Sequence, residues 1–409
     1  MKSVTSRLDA DLDPVALGAA TGQLWSRSGF VLAGLGEALR IPVERGPDGA
    51  AEAQVALAAL AGPDDIGLPG SGPVGFASMA FDPAVSGELV VPEVLTGRSP
   101  DGRRWITVVS DGSIDADDAL VRLESVATGV PRSVQPTSIK VSSPIAPEVW
   151  RDDIVAVARD RIRSGRLTKA VLARELVLRS SEPIDTEAVI LRLAAAHRSA
   201  TIFALDGFVG ASPELLVSRV DDLVQAHPLA GTAARASDPV ADQEAAAGLL
   251  ASTKDLWEHR ITIDWLLNEL LPFCSYVDAE PEPGIVSLPN VHHLGTRVEG
   301  RLSAPQPSVL ELVAALHPTP AVGGEPQQAA LDLIAELEQA ERGRYAGPTG
   351  WVDGDGNGSF VVAIRSAEIS GHDARLFAGV GVVGDSDPAA ELAETRAKFQ
   401  AMLPAVLQL

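Results

Sequence analysis

Apolar and polar positions along this chain show two periodicities, one typical of strands and one typical of helices. Short apolar, β-branched runs predict strands at residues 105–109, 167–178, 201–205, 208–217, 291–299 and 376–383. Apolar positions three and four residues apart predict helices at about residues 147–165, 185–197, 254–271 and 326–340, and a further helix after residue 387. The pattern therefore predicts a globular protein that contains both strands and helices.

The strand at residues 376–383 carries two glycines, Gly379 and Gly381, at alternate positions. Successive side chains of a strand point to opposite faces, so both glycines lie on the same face. A face without side chains allows a ligand to lie directly against the backbone. This strand is therefore a candidate wall of a binding site.

The helix that follows is predicted to begin with Asp387 as its N-cap and Pro388 as its first residue. Glu391, Glu394 and Lys398 are spaced i, i+3 and i+7, so they share one face of this helix. A bare strand beside two carboxylates and an ammonium suggests a site for a small anion with a divalent cation. The alternative is a solvated surface with weakly paired charges.

A second acidic pair, Asp255 and Glu258, has i, i+3 spacing on the helix predicted at residues 254–271. The buried side of that helix is predicted to carry Trp257, Ile261, Trp265 and Leu267. Two acidic pairs on two helices would supply the few carboxylates that a Mg²⁺ site needs. Zinc is less favoured, because the sequence has no His/Cys cluster with ligand spacing.

Three more charged residues could have a catalytic or binding role that depends on their surroundings. Lys169 shares a strand face with apolar residues and could act as a base if desolvated, although a strand-end lysine that reaches water is the alternative. Glu214 precedes an apolar run, so its carboxyl group either ends at solvent or is buried with a raised pKa. Arg365 ends an apolar strand and is a candidate for bidentate capture of a carboxylate.

Other polar positions have weaker signals. Gly231 and Thr232 are predicted to form a turn at the end of a strand, where an amide and a hydroxyl could bind a carboxylate. His293 lies in a predicted strand, where a satisfied core histidine is the common case. The hairpin turn at residues 353–358 is similar in sequence to the start of a calcium-binding loop. Its twelfth position is Ile364 instead of the required glutamate, so the segment is interpreted as a β-turn and not as a calcium site.

Composition excludes several classes of partner. The formal charge of −22 disfavours nonspecific binding to nucleic acid or to acidic membrane surfaces. The single cysteine, Cys274, permits no disulfide within the chain, which fits a reducing cytoplasm. No apolar run has the length of a signal peptide or a membrane span. We therefore expect a soluble, cytoplasmic protein.

Nine separated motifs follow one another from about residue 140 to the end. They are Lys169-Ala-Val-Leu-Ala-Arg, Ala211-Ser-Pro-Glu-Leu-Leu, Pro228-Leu-Ala-Gly-Thr, Lys254-Asp-Leu-Trp-Glu-His, Val291-His-His-Leu-Gly, His317-Pro-Thr-Pro-Ala-Val-Gly-Gly, Gly343-Arg-Tyr-Ala-Gly, Val362-Ala-Ile-Arg and the 375–398 stretch. In this order they resemble the motifs of the chorismate-utilising enzymes, and most closely those of the isochorismate synthases.

The resemblance implies an α+β fold in which large antiparallel β-sheets pack together, helices flank them, and the site lies in a central cleft. Residues 136–409 would form the chorismate-binding catalytic region. Residues 1–135 would form an N-terminal portion of the same fold, to which no function is assigned. The stretch at residues 131–136 is interpreted as the connection between the two.

The resemblance also implies roles for individual residues. Lys169 and Glu214 match the base and the acid. Glu258 and Glu394 match direct Mg²⁺ ligands, with Asp255 and Glu391 acting through water. The expected substrate-binding residues are Gly231, Thr232, His293, Ala321, Tyr345, Ile364, Arg365, Gly379, Gly381 and Lys398.

The implied function is Mg²⁺-dependent isomerisation of chorismate to isochorismate. The alternatives are a salicylate synthase, a synthase of the anthranilate or aminodeoxychorismate type, and a non-enzymatic Mg²⁺-dependent binding protein. Lys169 argues against the ammonia-using type, whose members typically lack lysine there. We therefore expect no obligatory glutamine amidotransferase partner, and we expect a monomer.

Overall fold

The computed structural model describes residues 1–112, 115–127 and 136–407. The connection predicted at residues 131–136 lies, apart from Pro136, outside the described residues. The division of the chain at residue 135 stays a prediction.

Strands dominate the part of the chain that the structure describes. In chain order they are β1 (Lys2–Arg7), β2 (Leu24–Arg27), β3 (Phe30–Leu35), β4 (Leu39–Val43), β5 (Val74–Ser78), β6 (Gly87–Val91), β7 (Val94–Arg98), β8 (Arg104–Ser110), β9 (Ile139–Ser142), β10 (Lys169–Ser180), β11 (Thr201–Leu205), β12 (Phe208–Ser212), β13 (Leu215–Val220), β14 (Leu223–His227), β15 (Leu229–Ala234), β16 (Cys274–Ala279), β17 (Gly284–Ser287), β18 (Val291–Gly295), β19 (Val298–Leu302), β20 (Gly324–Glu325), β21 (Pro348–Asp353), β22 (Gly358–Val362), β23 (Ser366–Ser370) and β24 (Asp373–Val382).

Helices connect and cover these strands. They are α1 (Pro14–Thr21), α2 (Gly46–Ala58), α3 (Ala116–Ala127), α4 (Pro147–Val149), α5 (Ala156–Arg163), α6 (Thr186–Ala196), α7 (Pro239–Ala251), α8 (Thr253–Leu270), α9 (Val309–Leu316), α10 (Gln327–Glu338), α11 (Pro388–Phe399) and α12 (Leu403–Leu407). A π-helical segment (Trp150–Val155) joins α4 to α5, and a 3₁₀ turn (Leu271–Phe273) follows α8.

The strands form three sheets in which the paired neighbours run antiparallel. The twelve-stranded sheet has the order β1-β8-β7-β3-β2-β11-β12-β23-β24-β10-β20, with β9 also paired to β10. The nine-stranded sheet has the order β16-β19-β14-β13-β22-β21-β5-β6-β4, and the small sheet has the order β15-β18-β17. N-terminal strands enter both large sheets, because β2 pairs with β11 and β5 pairs with β21.

The two large sheets pack against each other through apolar side chains. Trp25 and Phe203 of the twelve-stranded sheet share one core with Phe76 and Trp351 of the nine-stranded sheet. Helices α1, α6 and α12 cover the twelve-stranded sheet through a separate core that includes Leu193. The predicted fold class, large antiparallel sheets packed together with flanking helices, is confirmed.

Two predicted strands are each divided between sheets. The strand predicted at residues 208–217 is interrupted at Pro213 and Glu214, so β12 belongs to the twelve-stranded sheet and β13 to the nine-stranded sheet. Proline cannot donate a ladder hydrogen bond, which favours an interruption there. The strand predicted at residues 291–299 is likewise divided into β18 and β19. The periodicity of the sequence did not reveal that the chain passes from one sheet to another at these two places.

The predicted buried side of α8 is wrong. Trp257 is 49% exposed, and Ile261, Trp265 and Leu267 are only half-buried. The buried side instead carries Glu258, His259, Thr262, Ile263, Leu266 and Leu270. The first turns of α8 face a charged cavity rather than an apolar core, so the apolar pattern points to the wrong face.

The turn predicted at Gly231 and Thr232 is also wrong. β15 continues through both residues to Ala234, with an irregular register between Ala230 and Thr232. Gly231 has φ +67°, a left-handed conformation that glycine adopts at little cost. The bulge, rather than a turn, places this segment beside the cavity.

Candidate functional site

All sixteen residues that the sequence singled out line one cavity of about 780 Å³, mouth included. The lining residues include Lys169, Glu214, Gly231, Thr232, Asp255, Glu258, His293, Ala321, Tyr345, Ile364, Arg365, Gly379, Gly381, Glu391, Glu394 and Lys398. Strands β10, β15, β18 and β24 and helices α8 and α11 contribute to this lining. The structure therefore brings the predicted site together, while the role of each residue stays a prediction.

The glycine face of β24 is a wall of the cavity, as its alternation predicted. A Cβ atom on Gly381 would lie 2.3 Å from Glu258 Oε1 and 3.0 Å from the Lys169 Cε atom. A Cβ atom on Gly379 would lie 3.1 Å from the Tyr345 hydroxyl. Glycine is therefore needed at both positions so that side chains from other elements can approach the strand.

Lys169 is buried at the start of β10 and does not extend to water. Its residue exposure is 1%, and its Nζ lies 2.9 Å from Glu258 Oε1. The alternative of a strand-end lysine that reaches solvent is therefore wrong. A buried lysine on a cavity wall is well placed to exchange a proton with a bound molecule.

Glu214 lies where the chain passes from one large sheet to the other. Only 3% of the residue is exposed, and its Oε1 has no hydrogen-bond partner among the described residues. Burial raises the pKa of Glu214 to about 7, although the positive charges of Lys169 and Lys398 oppose this rise. Glu214 can therefore hold a proton near neutral pH and present it to the cavity.

His293 and Arg365 form a buried, directional pair. Arg365 Nη2 lies 3.0 Å from His293 Nε2, and His293 Nδ1 lies 2.9 Å from the carbonyl oxygen of Gly231. A guanidinium can only donate, so Nε2 accepts and Nδ1 carries the proton. Burial and the charge of Arg365 lower the pKa of His293 well below its usual value. His293 is therefore neutral and orients Arg365.

The backbone at Arg365 is strained. Its φ is +52°, in the left-handed region that residues with a Cβ rarely adopt. The residue lies between β22 and β23, and its backbone oxygen accepts a hydrogen bond of 3.0 Å from the amide of Ala211. Such strain is typical of sites where the surrounding structure fixes one side chain. Here it directs a buried guanidinium into the cavity.

The two acidic pairs face each other across the cavity from α8 and α11. Burial raises the pKa of Glu391 to about 7, and the charges of Glu394 and Glu258 add to this rise. Burial also raises the pKa of Asp255, with contributions from Glu258 and Glu394. The four carboxylates are thus close enough to repel one another.

Three lysines compensate part of this negative charge. Besides the Lys169–Glu258 pair, Lys254 Nζ lies 3.3 Å from Glu391 Oε1, and Lys398 Nζ lies 2.6 Å from Glu394 Oε1. Lys398 also donates to the carbonyl oxygen of Gly379 at 2.8 Å. The cavity therefore contains alternating charges rather than a purely acidic surface.

The donor set suits a hard divalent cation. It consists of carboxylate oxygens, which Mg²⁺ prefers. No group of three or more His, Cys, Asp or Glu side chains within the described ranges already has the geometry of a metal site. Glu258 and Glu394 would have to exchange their lysine partners for the metal. The residues thus fit Mg²⁺ by the chemistry of their oxygen donors.

Lys254 also lines the cavity, although its sequence pattern predicted no role for it. Burial lowers the pKa of Lys254, but the charges of Glu391 and Glu258 outweigh this effect and raise it. The available signal was the position of Lys254 next to Asp255 and four residues before Glu258 on one helix.

The fold and the cavity define an enzyme-like site in which a buried lysine, a protonatable glutamate and an acidic cluster converge. The chain belongs to the chorismate binding enzyme family, whose model matches residues 19–407.

Individual relatives support this membership. The chain is 36% identical to the isochorismate synthase MenF of Bacillus subtilis (strain 168) over 359 residues, which cover 82% of this chain and 75% of that protein. It is 44% identical to the isochorismate synthase DhbC of the same organism over 257 residues, or 60% of this chain and 65% of that protein. The match thus spans less than two thirds of DhbC.

A solved structure extends the likeness over nearly the whole chain. MenF, the menaquinone-specific isochorismate synthase from Escherichia coli, superposes with a TM-score of 0.80 at 27% sequence identity. The superposition covers 99% of this chain and 94% of that one. In the described part of this chain, no helix combines the length and apolar character needed to cross a membrane.

Proposed function

We propose that this protein is an isochorismate synthase that interconverts chorismate and isochorismate with Mg²⁺, for menaquinone or siderophore biosynthesis. The observation that carries the proposal is the convergence of buried Lys169 and buried Glu214 on the same cavity. The names of the relatives support the same reaction. The cytoplasmic location and the monomeric state remain predictions.

Substrate binding would use the cations that remain available in the cavity. Chorismate carries two carboxylates. Arg365, Lys398, Tyr345 and the bare backbone of β24 would bind one of them. Mg²⁺, when held by the carboxylates of α8 and α11, would supply the positive charge that the ring carboxylate requires.

The chemistry requires one proton acceptor and one proton donor. Water adds at C2 as Lys169 accepts its proton, and the C4 hydroxyl leaves as water with a proton from Glu214. One water is consumed and one is released, so the reaction is a reversible isomerisation. Because the pKa of Glu214 is raised to about 7, the acid form is populated at neutral pH.

The test is incubation with chorismate and Mg²⁺ at neutral pH, without ammonia or a partner, followed by chromatography of the products. We expect a mixture of chorismate and isochorismate. Ala321 places no polar group in the part of the cavity that it lines, so we expect little salicylate.

Three other outcomes would contradict the proposal. Stoichiometric salicylate and pyruvate would identify a salicylate synthase. An aminated product that forms only with ammonium would identify the ammonia-using class. Chorismate that is bound but never converted would identify a binding protein.

A further inference from the structure

The strand that carries Lys169 lacks a strand neighbour along the middle of one edge. β10 pairs with β24 along most of its length, but on its other edge it pairs with β20 at Lys169 and Ala170 and with β9 from Val177 to Ser180. Among the described residues, no strand covers the edge between these two contacts. Buried backbone groups need hydrogen-bond partners, so this edge must be satisfied in another way.

The amide of Val171 donates to the carbonyl oxygen of Gly323 at 2.8 Å, and side chains provide the other partners described below. Arg342 Nη2 donates to the carbonyl oxygen of Val171 at 2.6 Å, and Glu338 Oε1 accepts from the amide of Ala173 at 2.6 Å. The indole Nε1 of Trp150 donates to the carbonyl oxygen of Ala173 at 3.0 Å. Apart from the Val171 amide, the open edge of β10 is thus held by side chains from elsewhere in the chain.

Glu338 and Arg342 also hold each other. Arg342 Nε donates to Glu338 Oε2 at 2.8 Å, and Arg342 Nη2 donates to Glu338 Oε1 at 2.5 Å. Both residues are buried, and the guanidinium lies 4.1 Å from the centre of the Phe81 ring. A bidentate pair packed against an aromatic ring has essentially one orientation.

The same guanidinium reaches one further segment that lines the cavity. Arg342 Nη1 donates to the carbonyl oxygen of Val322 at 2.9 Å, next to Ala321. The carbonyl oxygen of Arg342 accepts from the amide of Tyr345 at 3.1 Å. The Glu338–Arg342 ion pair therefore joins β10 to the wall of the site that contains Ala321 and Val322.

We propose that Glu338 and Arg342 are positioning residues that set the location of Lys169 for proton transfer. Val171, which Arg342 holds, lies two residues from Lys169 on the same strand, and both line the cavity. A shift of this strand edge moves the Lys169 ammonium relative to bound substrate. The inference rests on the proposed function, in which Lys169 is the base.

The test uses Arg342→Lys and Glu338→Gln. A lysine can pair with Glu338, but its single nitrogen cannot also reach Val171 and Val322. A misplacement of about 1 Å can lower a rate by about 100-fold. We therefore expect kcat to fall about 10- to 100-fold, with KM for chorismate changed less than about threefold.

A matched control lies on the same helix. Glu336 forms a bidentate ion pair with Arg161 at 2.5 Å, but this pair is exposed and contacts no cavity residue. Glu336→Gln should leave kcat and KM unchanged. A loss in Glu336→Gln equal to that in Glu338→Gln would overturn the inference.

A double variant separates positioning from a purely structural role. If the pair acts through Lys169, adding Arg342→Lys to Lys169→Gln should lower the residual rate by less than about twofold. If it instead lowers that rate as strongly as it lowers the wild-type rate, the effect does not pass through Lys169 and the inference fails. Glu338→Gln in the same background gives the same test if Arg342→Lys does not fold.

Two further results keep the inference separate from the proposed function. Folded variants with wild-type kcat and only a lower melting temperature would show that the pair is structural. Wild-type protein that fails to convert chorismate would refute the proposed function itself, before any variant is compared.

Discussion

Two acidic regions of this protein look alike in sequence but differ in how their carboxylates are satisfied. In the turn between β21 and β22, the Asp353 carboxylate accepts hydrogen bonds from the amides of Gly70, Asp355 and Asn357 at 2.9–3.0 Å. In the cavity, three of the four carboxylates pair with lysines and all four lie near one another. The carboxylate of the turn is paired with backbone amides, whereas three cavity carboxylates are paired with lysine side chains, which a cation could replace.

This difference shows that acidic spacing alone does not define a metal site. The turn, with Asp353, Asp355 and Asn357 at alternate positions, has the more metal-like sequence. Its oxygens are already used by backbone amides, which stabilise the turn instead. The carboxylates of α8 and α11 have no comparable set of backbone donors among the described hydrogen bonds. The existing partners of each oxygen are therefore the reason why the proposed Mg²⁺ site lies in the cavity and not in the turn.

The largest expected effect is the loss of turnover when the metal is removed. Excess chelator should reduce the conversion of chorismate to background, and Glu394→Gln should do the same while the fold is retained. Calorimetry should show Mg²⁺ binding to wild-type protein and to Asp355→Asn in the turn, but not to Glu394→Gln. Full activity in excess chelator would refute the metal assignment in the cavity.

The next largest effect concerns the two proposed proton-transfer residues. Lys169→Gln and Glu214→Gln should each lower kcat by about 10²–10⁴-fold, and the losses should not multiply in the double variant, because the two residues act as a unit. In wild type, kcat/KM should fall as the pH rises through about 7, because Glu214 loses the proton that it must donate. Lys169→Gln should still bind chorismate with Mg²⁺ in calorimetry. A wild-type rate in Lys169→Gln would exclude it as the base.

The smallest expected effects are on stability and have opposite signs in the two regions. The folded-state pKa of Glu214 is raised from 4.5 to about 7, so wild type loses stability as the pH rises through this window. Glu214→Gln avoids this loss and should be more stable than wild type at pH 8 by up to about 3 kcal/mol, with the difference shrinking toward pH 4.

Asp353→Ala is the counterpart in the turn. It removes the acceptor of three backbone amides and should cost roughly 1–3 kcal/mol of unfolding free energy at pH 7, with kcat unchanged. Denaturant unfolding at pH 4 and pH 8 for Glu214→Gln and at pH 7 for Asp353→Ala, together with steady-state rates, checks both variants. If Glu214→Gln and Asp353→Ala changed the free energy of unfolding in the same direction, the contrast between the two regions would be contradicted.

Local chemistry and motif order predicted the composition of the cavity well. Gly379 and Gly381 were recognised because strand alternation places them on one face, and Glu391, Glu394 and Lys398 because helical spacing does the same. The approach of α8 to α11 could not be derived from either helix alone. That these two helices contribute to one site was inferred from the resemblance of the motifs to a family rather than from periodicity.

Other features depended on contacts between distant segments. The buried side of α8 was mispredicted because its inward neighbours are charged, and Lys254 received no role because its partner, Glu391, lies 137 residues away. The positioning pair Glu338–Arg342 was also missed. Its importance depends on an open edge of β10, which only the strand order reveals.

The sequence by itself determined the local elements, the glycine face of β24, the cap of α11 and the residue types of the site. These depend on periodicity, on backbone preferences and on neighbours a few residues apart. Only the tertiary structure decided which carboxylates are saturated, which lysine is buried and which strand edge lacks a partner. Burial and hydrogen-bond satisfaction are set by residues far apart in the chain, so the same aspartate or glutamate can stabilise a turn or remain available for chemistry.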